Sequence, residues 1–191
     1  DPDAALHWMS RLLEGGEAPE FIARRMVIFS AEDVGCAVPQ AITVAVATAE
    51  AVAYVGMPEA RIPLASCCVF LATCPKSNAA YVALGRAQSD ITEKRLDPVP
   101  LHLRNYDFTR EKNSDHKYKY PHDFPGRFID QDYLPDNLKG TIYYTPSDQG
   151  NEAKIAARLE MWRKIKSSKL KQKSPKIENK DSSGRESNSD E

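Results

Sequence analysis

Ala5, Trp8, Met9, Leu12 and Leu13 recur at i, i+3, i+4, i+7 and i+8, the spacing that lines one face of an α-helix, until Gly15-Gly16 breaks the pattern. Asp1 is suited to the N-cap, with Pro2 at the first helical position. Pro19 opens a second helix whose stripe is Phe21, Ile22, Met26 and Phe29. Arg24 and Arg25 sit off that stripe, and Gly35 ends the segment.

Between Pro39 and Val55 the pattern changes, because Ala, Val and Ile occupy nearly every face and Glu50 is the single charge. A helix apolar all round needs neighbours on several sides. Ala41, Ala45, Ala49 and Ala53 form an i+4 row of small residues along which another helix can approach closely, so the row is a candidate subunit interface or the seam of a central helix. A fourth helix is expected from about Arg61 to Thr73, stopped by Cys74-Pro75, since a residue before proline disfavours the α region. A fifth is expected to start at Ser77 as N-cap and to carry Tyr81, Leu84, Ala87 and Ile91 inward.

From Leu96 the helical period is lost. The stretch to Thr145 holds Pro98, Pro100, Pro121, Pro125 and Pro135 and six tyrosines, which predicts an ordered but irregular wrap packed by its own aromatics. Helix returns at about Asp148 to Lys166, with Ile155, Leu159 and Trp162 on one stripe, and residues after Ser167 have almost nothing to bury. The expected fold is therefore all-α. About five core helices (1–95) form a compact bundle, an irregular Pro/Tyr-rich wrap follows (96–147), and a C-terminal helix (148–166) closes it. Residues 1–166 make one domain and 167–191 a charged tail expected to be disordered.

Composition narrows the function more than it defines it. The 26 Lys and Arg balance 27 Asp and Glu, so no global basic field draws in nucleic acid. The apolar run Ile62 to Pro75 is short of the ~20 residues a membrane helix needs. The opening Asp-Pro-Asp-Ala-Ala-Leu-His-Trp lacks the basic start and cleavage site of a secretory signal, and the expectation is a cytoplasmic protein. Cys36, Cys67, Cys68 and Cys74 make no CxxC pair and read as reduced core thiols.

Catalytic signals are weak. None of the nine glycines sits in a GxxxxGK[ST] loop, and His7, His102, His116 and His122 are too scattered for the usual zinc patterns. His122-Asp123 could orient a general base, but between Pro121 and Phe124 the bland reading is a structural pair. A hydrolase built on Cys or His122 is a remote alternative, because an apolar setting raises a thiol's pKa. The lysines from Lys164 to Lys176 read as a solvated arm offset by the acidic end at Glu186–Glu191, with phosphate binding the alternative.

Seven segments in order carry a resemblance: DPDAALHWMSRLLEGGE at 1–17, FIARRMVIFSAEDVG at 21–35, PKSNAAY at 75–81, VPLHLRN at 99–105, YKYPHDFPG at 118–126, YLPDNLKG at 133–140 and YYTPSDQGNE at 143–152. Together they resemble the C-terminal region of the replication-associated recombination protein A family, also called MgsA, whose eukaryotic relative is the Werner-helicase-interacting ATPase. The likeness covers about residues 1–165. Its motif residues here are Pro75, Lys76, Ser77, Asn78, Tyr81, Pro100, His102, Arg104, Asn105, Tyr120, His122, Asp123, Pro125, Gly126, Tyr133, Leu134 and Pro135. Between Asn105 and Tyr118 the residues YDFTREKNSDHK depart from the family's Lys- and Gly-containing stretch.

The resemblance implies a helical domain that follows a clamp-loader-like AAA+ core and holds the protein as a homotetramer. It implies no catalytic residue, cofactor or metal in these 191 residues, since the ATP, magnesium and arginine-finger sites of the family lie upstream. For the whole protein it implies DNA-dependent ATP hydrolysis at stalled forks, contact with DNA and single-strand-binding protein, and a nucleoid-associated place in the cytoplasm. The chain opens inside the family's Ser-Asp-Pro-Asp stretch, which implies a piece of a longer protein. An alternative role is direct DNA or protein contact through Arg24, Arg25, Arg61, Lys76, Arg86 and the C-terminal lysines.

Overall fold

A computed structural model describes residues 1–104 and 118–172, with side chains to residue 166. Asn105, the divergent segment after it and the tail beyond Gln172 lie outside the described residues. Six α-helices run in order: α1 (Pro2–Glu14), α2 (Pro19–Phe29), α3 (Ala41–Val55), α4 (Arg61–Thr73), α5 (Ala79–Glu93) and α6 (Glu152–Gln172). No strand occurs among the described residues, so the architecture is all-α.

The helix ends follow local chemistry. Asp1 caps α1, its carboxylate accepting from the N–H groups of Asp3 and Ala4 at 3.0 and 3.1 Å. Pro19 occupies the first turn of α2, which runs on as a single π-helical turn over Ser30–Val34 before Gly35 leaves the helix at φ +50°. α4 ends at Cys74, which is extended ahead of Pro75 as the proline requires. Two differences stand against the sequence reading. Asn78 rather than Ser77 takes the cap position of α5, although Ser77 Oγ accepts from Ala79 N at 3.3 Å. Residues 148–151 form a turn, so α6 begins at Glu152 and continues past Lys166 to Gln172.

Helices α1 to α4 enclose the core, with α2 against α3, α1 against α4 and α3 against α4. Met9, Ile22, Ala23, Val52, Ala60, Leu64 and Cys68 form one cluster. Val34, Ala41, Ala45, Cys67 and Leu71 form a second, and Met26 of α2 packs against both. The wrap runs through short 3₁₀ turns and is pinned to α6, where Phe128 stacks on Trp162 with ring centroids 5.4 Å apart. Lys166 also pairs with Asp132 at 2.6 Å.

Two amphipathic faces are turned from where the spacing puts them. In α1, Met9 is buried with Ala5, Leu6 and Leu13 beside it, whereas Trp8 and Leu12 are exposed. In α5 no residue is buried, and Tyr81, Leu84 and Ile91, expected inside, are each more than half exposed. Its inward side is Ala79, Ala83, Ala87 and Asp90, all half-buried. Small residues let a helix lie close on irregular backbone, and that close fit outweighs the burial of three larger side chains.

Candidate functional site

A buried carboxylate ties the start of α6 to the connection between α4 and α5. Glu152, at the first turn of α6, is fully buried. Its Oε2 accepts from Ser77 Oγ at 2.6 Å, Ser147 Oγ at 2.6 Å and Ser147 N at 2.7 Å, and its Oε1 accepts from Tyr144 OH at 2.7 Å. Burial pushes the Glu152 carboxyl up, but the hydrogen bonds from Ser147, Ser77 and Tyr144 outweigh it and hold the group below its ordinary value. The Tyr144 hydroxyl is pushed up, first by burial and then by the carboxylate it donates to. The node therefore exists as a carboxylate at neutral pH.

Two glycines let the backbone close around this node. Gly35 runs at φ +50°, and a Cβ there would stand 2.6 Å from the Ser77 carbonyl oxygen, where Ser77 N also donates to Asp33 O at 2.7 Å. Gly150 runs at φ +52°, and a Cβ there would meet Ala37 O at 2.3 Å, beside the Asn151 N to Ala37 O bond of 2.8 Å. The end of the α2 extension, the α4–α5 connection and the start of α6 are thereby joined. Glu152 closes the YYTPSDQGNE segment, but its role was not legible there, because an acidic residue in a first helical turn is ordinary.

The structure divides the candidate interface row. Ala41 and Ala45 are fully buried against this chain's own Cys67 and Leu71, Ala49 is half-buried, and only Ala53 is exposed. The close-approach seam thus lies largely inside the protomer. What α3 shows outward is Ile42, Val46, Tyr54 and Val55, with Tyr54 91 % exposed, together with Thr43, Ala47 and Glu50. An apolar groove of ≈ 490 Å³ runs between α1 and α4, lined by Leu6, Met9, Leu13, Met57 and Ile62 among others.

Of the cationic candidates, Lys76 is already committed. Its Nζ donates to the carbonyls of Leu71 at 2.8 Å, Ala72 at 3.5 Å and Cys74, closing the C-terminal end of α4, and lies 5.8 Å from the Phe29 ring. Arg24 is exposed with its guanidinium 6.0 Å from the Phe21 ring, and Arg25 is exposed beside it on α2; Arg61 and Arg86 are exposed on α4 and α5.

Several of the family-motif residues gather at two places. Pro75 and Ser77 build the Glu152 node, whereas Pro100, His102, Arg104, Leu134 and Pro135 line a cleft of ≈ 410 Å³ in the wrap. The charges of that cleft face one another: Asp132 meets Lys166, Asp136 meets Lys139 at 2.7 Å, and Asp97 meets Arg95 at 3.0 Å. Tyr133 leans on His102 with ring centroids 6.3 Å apart. His122 and Asp123 sit in an exposed 3₁₀ turn, His122 against Tyr120 at 4.9 Å, and Pro125-Gly126 make the next turn with Gly126 at φ +69°.

The four cysteines are unpaired, and burial raises the Cys67, Cys68 and Cys74 thiols, against the needs of a nucleophile. Among the described residues no three His, Cys, Asp or Glu side chains gather as a metal would need. No described helix is long and apolar enough to cross a membrane.

The model of the MgsA AAA+ ATPase C-terminal family matches residues 1–163. The chain belongs to this family. It is similar to an uncharacterised AAA domain-containing protein of Mycobacterium tuberculosis, 47 % identical over 167 residues, 86 % of this chain and 37 % of the relative. Replication-associated recombination protein A of Bacillus subtilis is 43 % identical over 155 residues, 78 % of this chain and 36 % of that protein. The ATPase WRNIP1 of Dictyostelium discoideum is 35 % identical over 147 residues, 75 % of this chain and 17 % of that protein. The chain thus spans about a third of the bacterial relatives' length. As a member of the family, its matched region contains the whole helical core and the Glu152 node.

Proposed function

We propose that this chain is the assembly module of a clamp-loader-like AAA+ ATPase, holding copies of it together as a homotetramer that acts on DNA in replication-associated recombination. The carrying observation is the outer side of α3, where Ile42, Val46, Tyr54 and Val55 stay exposed around Glu50, the one charge in the helix's fifteen residues. A helix facing solvent normally turns a charged side outward, and apolar surface left open on this scale marks contact with another protein.

Family membership supports the rest of the reading. ATP and magnesium would be bound by residues outside this chain, and this module would contribute no catalytic group. DNA and single-strand-binding protein would be partners of the assembled ATPase, with Arg24, Arg25, Arg61 and Arg86 among its accessible cations. Light scattering on the 191-residue chain at tens of micromolar tests the reading. A mass near four times that of one chain is expected, and a monomer overturns it.

A further inference from the structure

The buried apolar side chains described all belong to the first half of the chain. Neither core cluster contains a residue after Cys74, and from Asn78 onward Glu152 is the one buried residue among those described. α5, the described part of the wrap and α6 therefore lie on the four-helix core without entering it.

These pieces are tied to one another. Tyr143 OH donates to Asp90 of α5 at 2.9 Å, and Asn137 Nδ2 donates to Arg95 O, just past α5, at 2.7 Å. α6 joins the wrap through the Phe128–Trp162 stack, the Lys166–Asp132 pair and Arg163, which donates to Tyr144 O at 3.2 Å. Their long-range polar contacts with the core gather at one place: Ser77 Oγ donates to Glu152, Asn151 N donates to Ala37 O, and Tyr144 OH lies beside Cys36. Ser77 is on the core side of this junction, since its N–H is held by Asp33 O and Lys76 beside it closes the end of α4. Glu152, Ser147 and Tyr144 are on the other side.

We infer that α5, the wrap and α6 form a strap that opens from the four-helix core as one unit, hinged at Asn78 and latched where Ser77 meets Glu152. Parts of a protein that share few buried apolar contacts with the rest open at a lower free energy than global unfolding. Opening breaks the three polar contacts of the junction and lifts the half-buried alanines of α5, whereas Glu152 keeps Ser147 and Tyr144 and regains water. The Gly35–Ala37 turn and Cys36 are uncovered. The outer side of α3 lies on the core and stays in place, so the strap can open without disturbing that face.

Amide hydrogen exchange in the full 191-residue chain, followed by mass spectrometry of its peptides, tests the strap. Ser77→Ala removes the side-chain bond across the junction and leaves every bond within the strap. The α5 and α6 peptides are expected to exchange roughly 10–100-fold faster, the fold-change for one hydrogen bond to a carboxylate, while α2 and α3 keep the parent rates. The Ser77 hydroxyl also accepts from Ala79 N at the start of α5, so α6 is the discriminating helix. The same acceleration in α2 and α3, a change in α5 without α6, or no change in either overturns the inference. Should Ser77→Ala fail to fold, Gly150→Ala, which sets a Cβ against Ala37 O across the junction, is read in the same way. Collapse of both variants, core included, makes the chain one cooperative block and overturns it as well.

Discussion

Glu152→Gln keeps the side-chain volume and removes one negative charge from the most heavily hydrogen-bonded buried group described. Four donors converge on it, three of them on Oε2. The least costly placement of the new amide keeps its oxygen towards Ser77 and Ser147 and turns its NH₂ towards Tyr144, whose hydroxyl must then rotate to accept. A hydrogen bond to a charged group is worth about 1.5–3 kcal/mol and a neutral one about 0.5–1.5, so weakening four bonds costs roughly 4 kcal/mol. Relief from burying a charge offsets part of this, leaving a net loss of about 2–3 kcal/mol.

For a chain of this size each kcal/mol moves the melting temperature by about 2–4 °C, which predicts a fall of about 4–12 °C at pH 7. The pH dependence has a defined sign. A carboxyl held below its ordinary value of about 4.3 stabilises the fold fully above that pH, and the contribution fades as pH falls through the lowered folded value. The gap between parent and variant should therefore be widest near neutrality and narrow below about pH 4.3. Thermal unfolding followed by circular dichroism at one fixed protein concentration reads both effects, because assembly also moves the transition. A change under ~1 °C at pH 7, or a gap that widens in acid, would refute the account of the node.

Gly150→Ala should destabilise by more than about 2 kcal/mol in urea, because the new Cβ would sit on Ala37 O and break the adjoining Asn151 bond, whereas Gly126→Ala, with φ +69°, ψ 7° and open space, should cost about 1 kcal/mol. Equal losses at the two sites would sink the close-approach argument. Lys76→Met removes the carbonyl contacts and the ammonium over Phe29, so it should cost about 1 kcal/mol in urea and leave any DNA affinity of the chain and its salt dependence unchanged. A reduced salt slope would return Lys76 to the list of phosphate contacts.

Helix positions were legible in the linear chain because their causes are local. Asp1 and Pro2 start α1, Pro19 starts α2, Cys74-Pro75 stops α4, and the apolar period runs between these marks. The C-terminal stripe of Ile155, Leu159 and Trp162 is half-buried as its spacing implied. The irregular wrap was legible for the same reason, since five prolines interrupt any 3.6-residue period from Leu96 onward.

Which side of a helix turns inward was not legible where apolar residues occupy both shoulders of the stripe. Trp8 and Met9 are neighbours in sequence, but only Met9 finds α2 and α4 to cover it. In α5 the alanines face the chain and the larger residues do not, because the partner surface is an irregular turn that admits only small side chains. The role of Ala41 and Ala45 turned on the same point: a row that permits close approach does not say whether the approaching helix belongs to this copy or another.

The functional geometry at Glu152 lay beyond sequence reasoning for a different reason. Ser77 is 75 positions from Glu152, and no periodicity links a serine before one helix to a glutamate opening another. Local rules act through the backbone within a turn or two, so the sequence alone determined where helices begin, end and repeat. A buried carboxylate, a glycine under a carbonyl and an uncovered face are decided by what meets what across space, and only the tertiary structure supplies that.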